Sequence, residues 1–127
     1  MILTVLQVAL GGAIGASLRY LSGVAILRLF GSSYPIPLGV LFVNIFGSFL
    51  MGALVVLLGN KELTHLNAFL VTGVLGGFTT FSSFSLEAYS LFERGQVAAA
   101  ATYVGLSFIL SLLAIVLGFT FMRAVLS

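Results

Sequence analysis

One short stretch, residues 73–87, combines hydroxyl side chains with regularly spaced aromatic rings. It reads GVLGGFTTFSSFSLE and lies inside a long apolar region. The hydroxyl side chains are those of Thr79, Thr80, Ser82, Ser83 and Ser85. Phe78, Phe81 and Phe84 recur at every third position, so on a helix they gather on one side. Hydroxyls donate hydrogen bonds, and ring edges carry the positive part of the aromatic quadrupole, so this combination suits a small anion.

The same stretch carries three glycines, Gly73, Gly76 and Gly77. Glycine is permissive in backbone and poor in helix propensity, so a Gly-Gly pair followed by Thr-Thr predicts a break in the helix. Broken backbone at membrane depth survives only where protein or a water-filled cavity satisfies it. A tightly packed kink is the ordinary alternative. The hydroxyls and the phenylalanine spacing favour a discontinuous helix at a functional centre.

Composition identifies the class of protein that must hold this stretch. The 127 residues are 61% hydrophobic and only 6% charged, whereas about a quarter of the residues in a soluble domain are charged. A spanning helix needs about 20 mainly apolar residues, so the length allows four spans. We predict an all-α integral membrane protein with a single domain, residues 1–127, and spans near residues 3–27, 38–58, 66–92 and 97–122. The first span is expected to be retained rather than cleaved as a signal.

Few residue types remain for enzymatic chemistry. The chain has no cysteine, which excludes disulfides and thiolate nucleophiles. Its acidic residues, Glu62, Glu87 and Glu93, are scattered, and His65 is expected in a solvated loop. The sequence shows no carboxylate pair, catalytic triad or phosphate-binding loop, so we do not expect an enzyme.

Isolated polar side chains mark the second and fourth spans. Asn44 is the strongest polar group of its span, with Ser48 one turn later on the same face. An asparagine in hydrocarbon needs a partner, so it either joins two helices or presents its amide to an anion. Tyr103, Ser107 and Ser111 are spaced four apart and form one hydroxyl stripe. Such a stripe either bridges helices or forms a ladder of donors across the bilayer.

The first span contains small residues four apart, followed by an arginine. Gly11 pairs with Gly15 and Gly12 with Ala16, a pattern that permits close helix contact in membranes. Arg19 then falls inside the span. An intramembrane arginine either faces protein or water, which makes it a candidate for a vestibule, or it snorkels to the interface.

The positive charges are balanced between the two sides of the membrane. With four spans, Lys61 and Arg123 share one side, and Arg28 and Arg94 the other. Orientation normally follows an excess of Lys and Arg on the cytoplasmic side. The balance therefore predicts insertion in both orientations, which allows an antiparallel two-fold dimer.

Together these features resemble the Fluc/CrcB family of fluoride channels over nearly the whole chain. The motifs are GGFTTFSSFS at residues 76–85 with Glu87 after it, GGAIGASLRY at 11–20, VNIFGSFLMG at 43–52, and the Tyr103, Ser107 and Ser111 stripe. The resemblance implies passive, selective fluoride export across the plasma membrane or bacterial inner membrane. It also implies a dual-topology antiparallel homodimer with two fluoride pathways in the lipid bilayer.

The resemblance further implies roles for particular residues. The fluoride pathway falls on Asn44, Phe81, Phe84, Tyr103, Ser107 and Ser111. A central structural sodium ion would be held by the backbone carbonyls of Gly76 and Thr79. Val40 departs from the pattern, since some members carry a threonine there, and this puts one polar contact in doubt. A paired heterodimer is also known among such relatives.

Two other classes stay open at this point. A small dual-topology multidrug exporter also has four spans, but it relies on a carboxylate in the first span, which this chain lacks. A membrane scaffold without transport activity would explain the glycine faces but not the hydroxyl stripe.

Overall fold

The computed structural model describes residues 1–127, and its secondary structure is entirely helical. The elements are α1 (Ile2–Phe30), α2 (Leu38–Asn60), a 3₁₀ turn (Thr64–Leu66), a π-helix (Ala68–Leu75), α3 (Gly76–Phe78), α4 (Phe81–Glu93) and α5 (Val97–Leu126). Four segments are long and apolar enough to cross a membrane, and the third of these, Thr64–Glu93, is the discontinuous one. The predictions of four spans and of a broken third helix are confirmed.

Helices α2 and α5 meet backbone to backbone. A Cβ atom added at Gly118 would lie 3.0 Å from the Ala53 nitrogen, and one added at Gly52 would lie 3.0 Å from the Phe119 nitrogen. Only glycine allows such an approach, which is the usual way in which membrane helices gain packing energy. Helix α4 lies against this pair of helices.

Helix α1 packs in the same way against the first half of the broken span. A Cβ at Gly11 would lie 2.9 Å from the Gly73 Cα, and one at Gly15 would lie 2.9 Å from the Phe78 nitrogen. The close contact predicted from the small residues of the first span is therefore confirmed. Its partner is the π-helix together with α3.

The break lies at Thr79 and Thr80, inside the segment that the Gly-Gly pair and the following Thr-Thr predicted, but only its threonines leave the helix. Gly76 and Gly77 are helical, whereas Thr79 (φ −83°, ψ 158°) and Thr80 (φ −153°, ψ 122°) are extended. The reason is that Gly77 is needed for packing, because a Cβ there would lie 3.2 Å from the nitrogen of Ala16 in α1. The helix is interrupted where polar side chains form hydrogen bonds with its backbone.

Candidate ion pathway beside the broken helix

A groove of about 270 Å³ runs beside the break, between α2, α4 and α5. It brings together five of the six residues predicted for the pathway: Asn44, Phe81, Phe84, Ser107 and Ser111. Ser48, Thr79, Thr80, Phe108 and Leu112 complete its lining. The groove is therefore lined by hydroxyls, one amide and aromatic rings, and it contains no charged side chain.

The Asn44 side chain forms hydrogen bonds with the backbone of the third span at the break. The Thr80 N–H donates to Asn44 Oδ1 at 2.9 Å, and Asn44 Nδ2 donates to the Thr80 carbonyl at 3.0 Å. Thr80 also begins α4, because its Oγ1 accepts the Ser83 N–H at 3.1 Å. Ser and Thr are preferred at this capping position for that reason. Asn44 thus joins two helices, and its amide still borders the groove.

Phe84 is the centre of an aromatic cluster at the groove. Its ring centroid lies 5.4 Å from that of Phe81, 5.8 Å from that of Phe108 and 5.3 Å from that of Tyr103. The pairs with Phe81 and Phe108 are edge-to-face, with interplanar angles of 69° and 90°. Phe84 is 7% exposed, whereas Phe81 is 68% exposed in the single chain.

The hydroxyl stripe on α5 faces inward. Tyr103 is fully buried and Ser107 is 7% exposed, and neither hydroxyl has a hydrogen-bond partner within the chain. A buried polar group left unpaired costs about 1–3 kcal/mol. Ser107 and Ser111 line the groove directly, while Tyr103 lies behind it against the Phe84 ring. The Ser107 and Ser111 hydroxyls therefore border the groove, whereas the Tyr103 hydroxyl is enclosed behind it.

The break also frees backbone carbonyls. In a continuous α-helix each carbonyl accepts the N–H four residues later. The Thr80 N–H, which would pair with Gly76, goes to Asn44, and the Ser83 N–H, which would pair with Thr79, goes to the Thr80 hydroxyl. The carbonyls of Gly76 and Thr79 therefore lose these helical partners.

Arg19 lines a second, larger cavity of about 510 Å³. Its Nε donates to the Gly77 carbonyl at 3.1 Å. The cavity is also lined by Thr80, Ser83, Glu87 and Arg94. Of the two predicted environments for Arg19, the structure has the side chain facing protein and this cavity.

Sequence reasoning missed several residues of the site. Thr80 was noted only as one of five hydroxyls, although threonine is among the residues preferred at a helix N-cap. Phe108 and Leu112 each follow a stripe serine directly, and the stripe alone gave no reason to include them. The π-helix Ala68–Leu75 has no sequence signal that we can identify.

These features define a multi-pass membrane protein with an uncharged polar groove beside a helix break. A family model described as CrcB-like protein, Camphor Resistance (CrcB), matches residues 6–119, and the chain belongs to that family. A Ruegeria protein named fluoride-specific ion channel FluC is 62% identical over 127 residues, which is the whole of both chains.

Further relatives carry the same name. One from Cereibacter sphaeroides is 56% identical over 123 residues, or 97% of each chain. One from Agrobacterium fabrum is 53% identical over 113 residues, covering 87% of this chain and 89% of the relative. The family resemblance predicted from the motifs is confirmed, and the chain is a multi-pass protein of the cell membrane.

Proposed function

We propose that this chain is a fluoride-selective channel that lets fluoride leave the cell passively. The observation that carries the proposal is the groove beside the break, which is lined by an amide, hydroxyls and aromatic rings and by no charged side chain. Fluoride is small and strongly hydrated, so a pathway must replace its water with donors. Several weak sites allow the ion to enter and also to leave, whereas fixed positive charge would trap it. The names of the relatives support an ion channel rather than an enzyme.

The donors would act in sequence along the groove. Asn44 Nδ2 has two N–H groups, and only one is engaged by the Thr80 carbonyl. The other is available to the anion, as are the hydroxyls of Ser107 and Ser111 on the facing helix. Phe81 and Phe84 would present ring edges between these donors. Tyr103, behind Phe84, would lie near one end of the pathway.

We further propose that the channel is an antiparallel homodimer of dual topology, built from two copies of this single four-helix domain. The balance of Lys and Arg between the two sides supports it. So does the groove, which is open at the surface of the single chain and carries Phe81 with 68% of its side chain exposed. A second copy would close the groove and shield that ring.

A structural sodium ion at the dimer centre would satisfy the free carbonyls. Gly76 and Thr79 provide two neutral oxygens per chain, and two antiparallel chains would provide four. Oxygen donors without clustered carboxylates suit a hard monovalent cation, and no cluster of acidic or histidine ligands exists in the chain. When bound, the cation would supply positive charge that offsets the cost of anions in the flanking pathways.

The sodium proposal has its own test. Purified dimers are equilibrated in sodium-free buffer with a large organic cation, and fluoride flux is measured before and after sodium is restored. We expect flux to be lost and recovered. Full flux without sodium, together with an experimental density map that shows no ion between the Gly76 and Thr79 carbonyls, would overturn it.

The multidrug exporter and the scaffold are the competing functions. No acidic residue lies in α1, where the exporter needs one, and the scaffold leaves the unpaired hydroxyls of Tyr103 and Ser107 unexplained. The deciding experiment loads liposomes containing the purified protein with fluoride and follows release with a fluoride electrode. We expect rapid release of fluoride and none of chloride from matched vesicles. No release of either ion from well-folded protein would contradict a channel.

A further inference from the structure

The arginine in the first span contacts the backbone of the third span just before the break. Arg19 is partly buried, and its single hydrogen bond within the chain runs from Nε to the Gly77 carbonyl at 3.1 Å. In a continuous helix this carbonyl would accept an N–H from the following turn. The bond joins residues that are 58 positions apart in sequence, so it fixes α1 to α3.

The glycine packing explains why the guanidinium reaches this carbonyl. A Cβ at Gly77 would lie 3.1 Å from the Gly12 Cα and 3.2 Å from the Ala16 nitrogen, so α1 and α3 touch through their backbones. Arg19 lies three residues after Ala16 and four after Gly15, which puts it on the same face of α1. The close contact that these small residues allow therefore places the Arg19 guanidinium beside the end of α3.

The charge of Arg19 also suits that position. The carbonyl end of a helix carries a partial negative charge, and a nearby cation stabilises it. Gly76 and Gly77 lie just before the break and Thr79 lies in it, yet only the Gly77 carbonyl has a hydrogen bond from Arg19. The amides that would pair with Gly76 and Thr79 are instead bound by Asn44 and the Thr80 side chain.

From this pattern we propose that Arg19 is a positioning residue for the cation site. By holding the Gly77 carbonyl, it keeps that oxygen out of the cation's ligand set and fixes the orientation of the nearby Gly76 and Thr79 carbonyls. The inference rests on the proposed function, because it assigns Arg19 a role toward the sodium ion proposed there. It predicts that the hydrogen bond, and not the charge alone, sets the affinity for sodium.

Three substitutions separate the bond from the charge. Arg19→Gln puts an N–H at the position of the arginine Nε but removes the charge. Arg19→Lys keeps the charge but puts a methylene group at that position. Arg19→Met is apolar and offers neither. All three side chains are unbranched at Cβ and fit a helix well.

The primary readout is equilibrium binding of radioactive sodium to the purified full-length protein, with elution volume and thermal midpoint as folding controls. We expect Arg19→Gln to keep wild-type sodium affinity within about threefold, and Arg19→Lys to weaken it by about tenfold or more, equivalent to about 1.4 kcal/mol. Arg19→Met is expected to weaken binding at least as much as Arg19→Lys. If Arg19→Met does not fold, the comparison of Gln with Lys is sufficient.

Wild-type sodium affinity in Arg19→Lys, or equal loss of affinity in Arg19→Gln and Arg19→Lys, would overturn the proposal. An absence of sodium binding to a wild-type protein that conducts fluoride would overturn it too. Fluoride flux is measured on the same samples to separate this inference from the channel proposal. Sodium binding with the expected ranking but no fluoride flux would refute the channel and support the role of Arg19.

Discussion

Asn44 binds the backbone of Thr80 through both ends of its amide, with distances of 2.9 Å to the N–H and 3.0 Å to the carbonyl. The side chain replaces the helical partners that Thr80 gives up when the third span breaks. A break in hydrocarbon requires such replacement, because unsatisfied backbone groups cost several kcal/mol there. The residue that borders the groove is therefore also the one that holds the break open.

Replacing Asn44 by aspartate tests both roles. Asn44→Asp keeps an acceptor for the Thr80 N–H but loses the donor to the Thr80 carbonyl, and it can introduce negative charge into the groove. We expect fluoride flux to be abolished and the protein to be destabilised by about 0.5–1.5 kcal/mol, the worth of one hydrogen bond. Flux from liposomes and thermal unfolding in detergent measure the two effects. Normal flux in a well-folded Asn44→Asp dimer would mean that Asn44 has only a packing role.

The two pathway phenylalanines differ in burial, and this separates function from packing. Phe81→Ile and Phe84→Ile both remove a ring edge while keeping apolar volume, so we expect a sharp fall in fluoride flux from each. Phe84→Ile loses aromatic contacts worth about 0.5–1.5 kcal/mol per pair and should also lower the thermal midpoint. Phe92→Ile is the matched control, because Phe92 is on the same helix and is absent from the groove. If fluoride flux is unchanged in both pathway variants, the two rings serve packing and not permeation.

Removing the unpaired hydroxyls should lower fluoride flux without lowering thermal stability. Ser107→Ala and Tyr103→Phe each remove a buried hydroxyl that has no partner within the chain. We expect thermal stability to be unchanged or higher, because an unpaired buried polar group is unfavourable, while fluoride flux falls. Ser17→Ala, which removes an exposed hydroxyl bonded to the Ala13 carbonyl, should alter neither. A clear loss of stability in Ser107→Ala with normal flux would mean that the serine serves structure alone.

Glycines in α5 should respond to alanine according to their surroundings. At Gly118 an added Cβ meets the backbone of α2, so Gly118→Ala should destabilise the protein by about 1–3 kcal/mol through overpacking. At Gly105 an added Cβ has nothing within 4 Å, so Gly105→Ala should stabilise by about 0.5–1 kcal/mol through helix propensity. Thermal unfolding of the purified protein measures both. Equal effects at the two positions would contradict the described α2–α5 contact.

The balance of charges predicts insertion in both orientations. A compartment reporter fused to the C-terminus should give signal on both sides of the membrane. Adding two lysines near Lys61 should bias orientation and lower fluoride export until an oppositely biased copy is co-expressed. A reporter signal on one side only would contradict the dual-topology homodimer.

Much of the site was predictable because the relevant residues share local spacing. The four-residue spacing of Ser107 and Ser111 places them on one face of α5, and the structure has both in the groove with Asn44 and Phe84. Which residues of one helix lie on the same face follows from helical geometry alone. The low share of charged residues likewise predicted a membrane protein, and the chain length allowed four spans.

The sequence predicted the segment that breaks, Gly-Gly followed by Thr-Thr, but local propensity did not show which of these residues leave the helix. Helix propensity acts weakly beside tertiary contacts. Gly77 stays helical against α1, and Thr80 leaves the helix because Asn44, 36 residues earlier, binds its backbone. The environment of Arg19 was undecided for the same reason, since its contact with Gly77 depends on how closely α1 approaches α3.

The most direct test of the central claim is the reversal potential of current through the purified protein in a planar bilayer with opposing fluoride and chloride gradients. The account predicts a current that reverses near the equilibrium potential of fluoride and that disappears in Asn44→Asp. Reversal near the equilibrium potential of chloride, or no current from protein that is folded and dimeric, would contradict it.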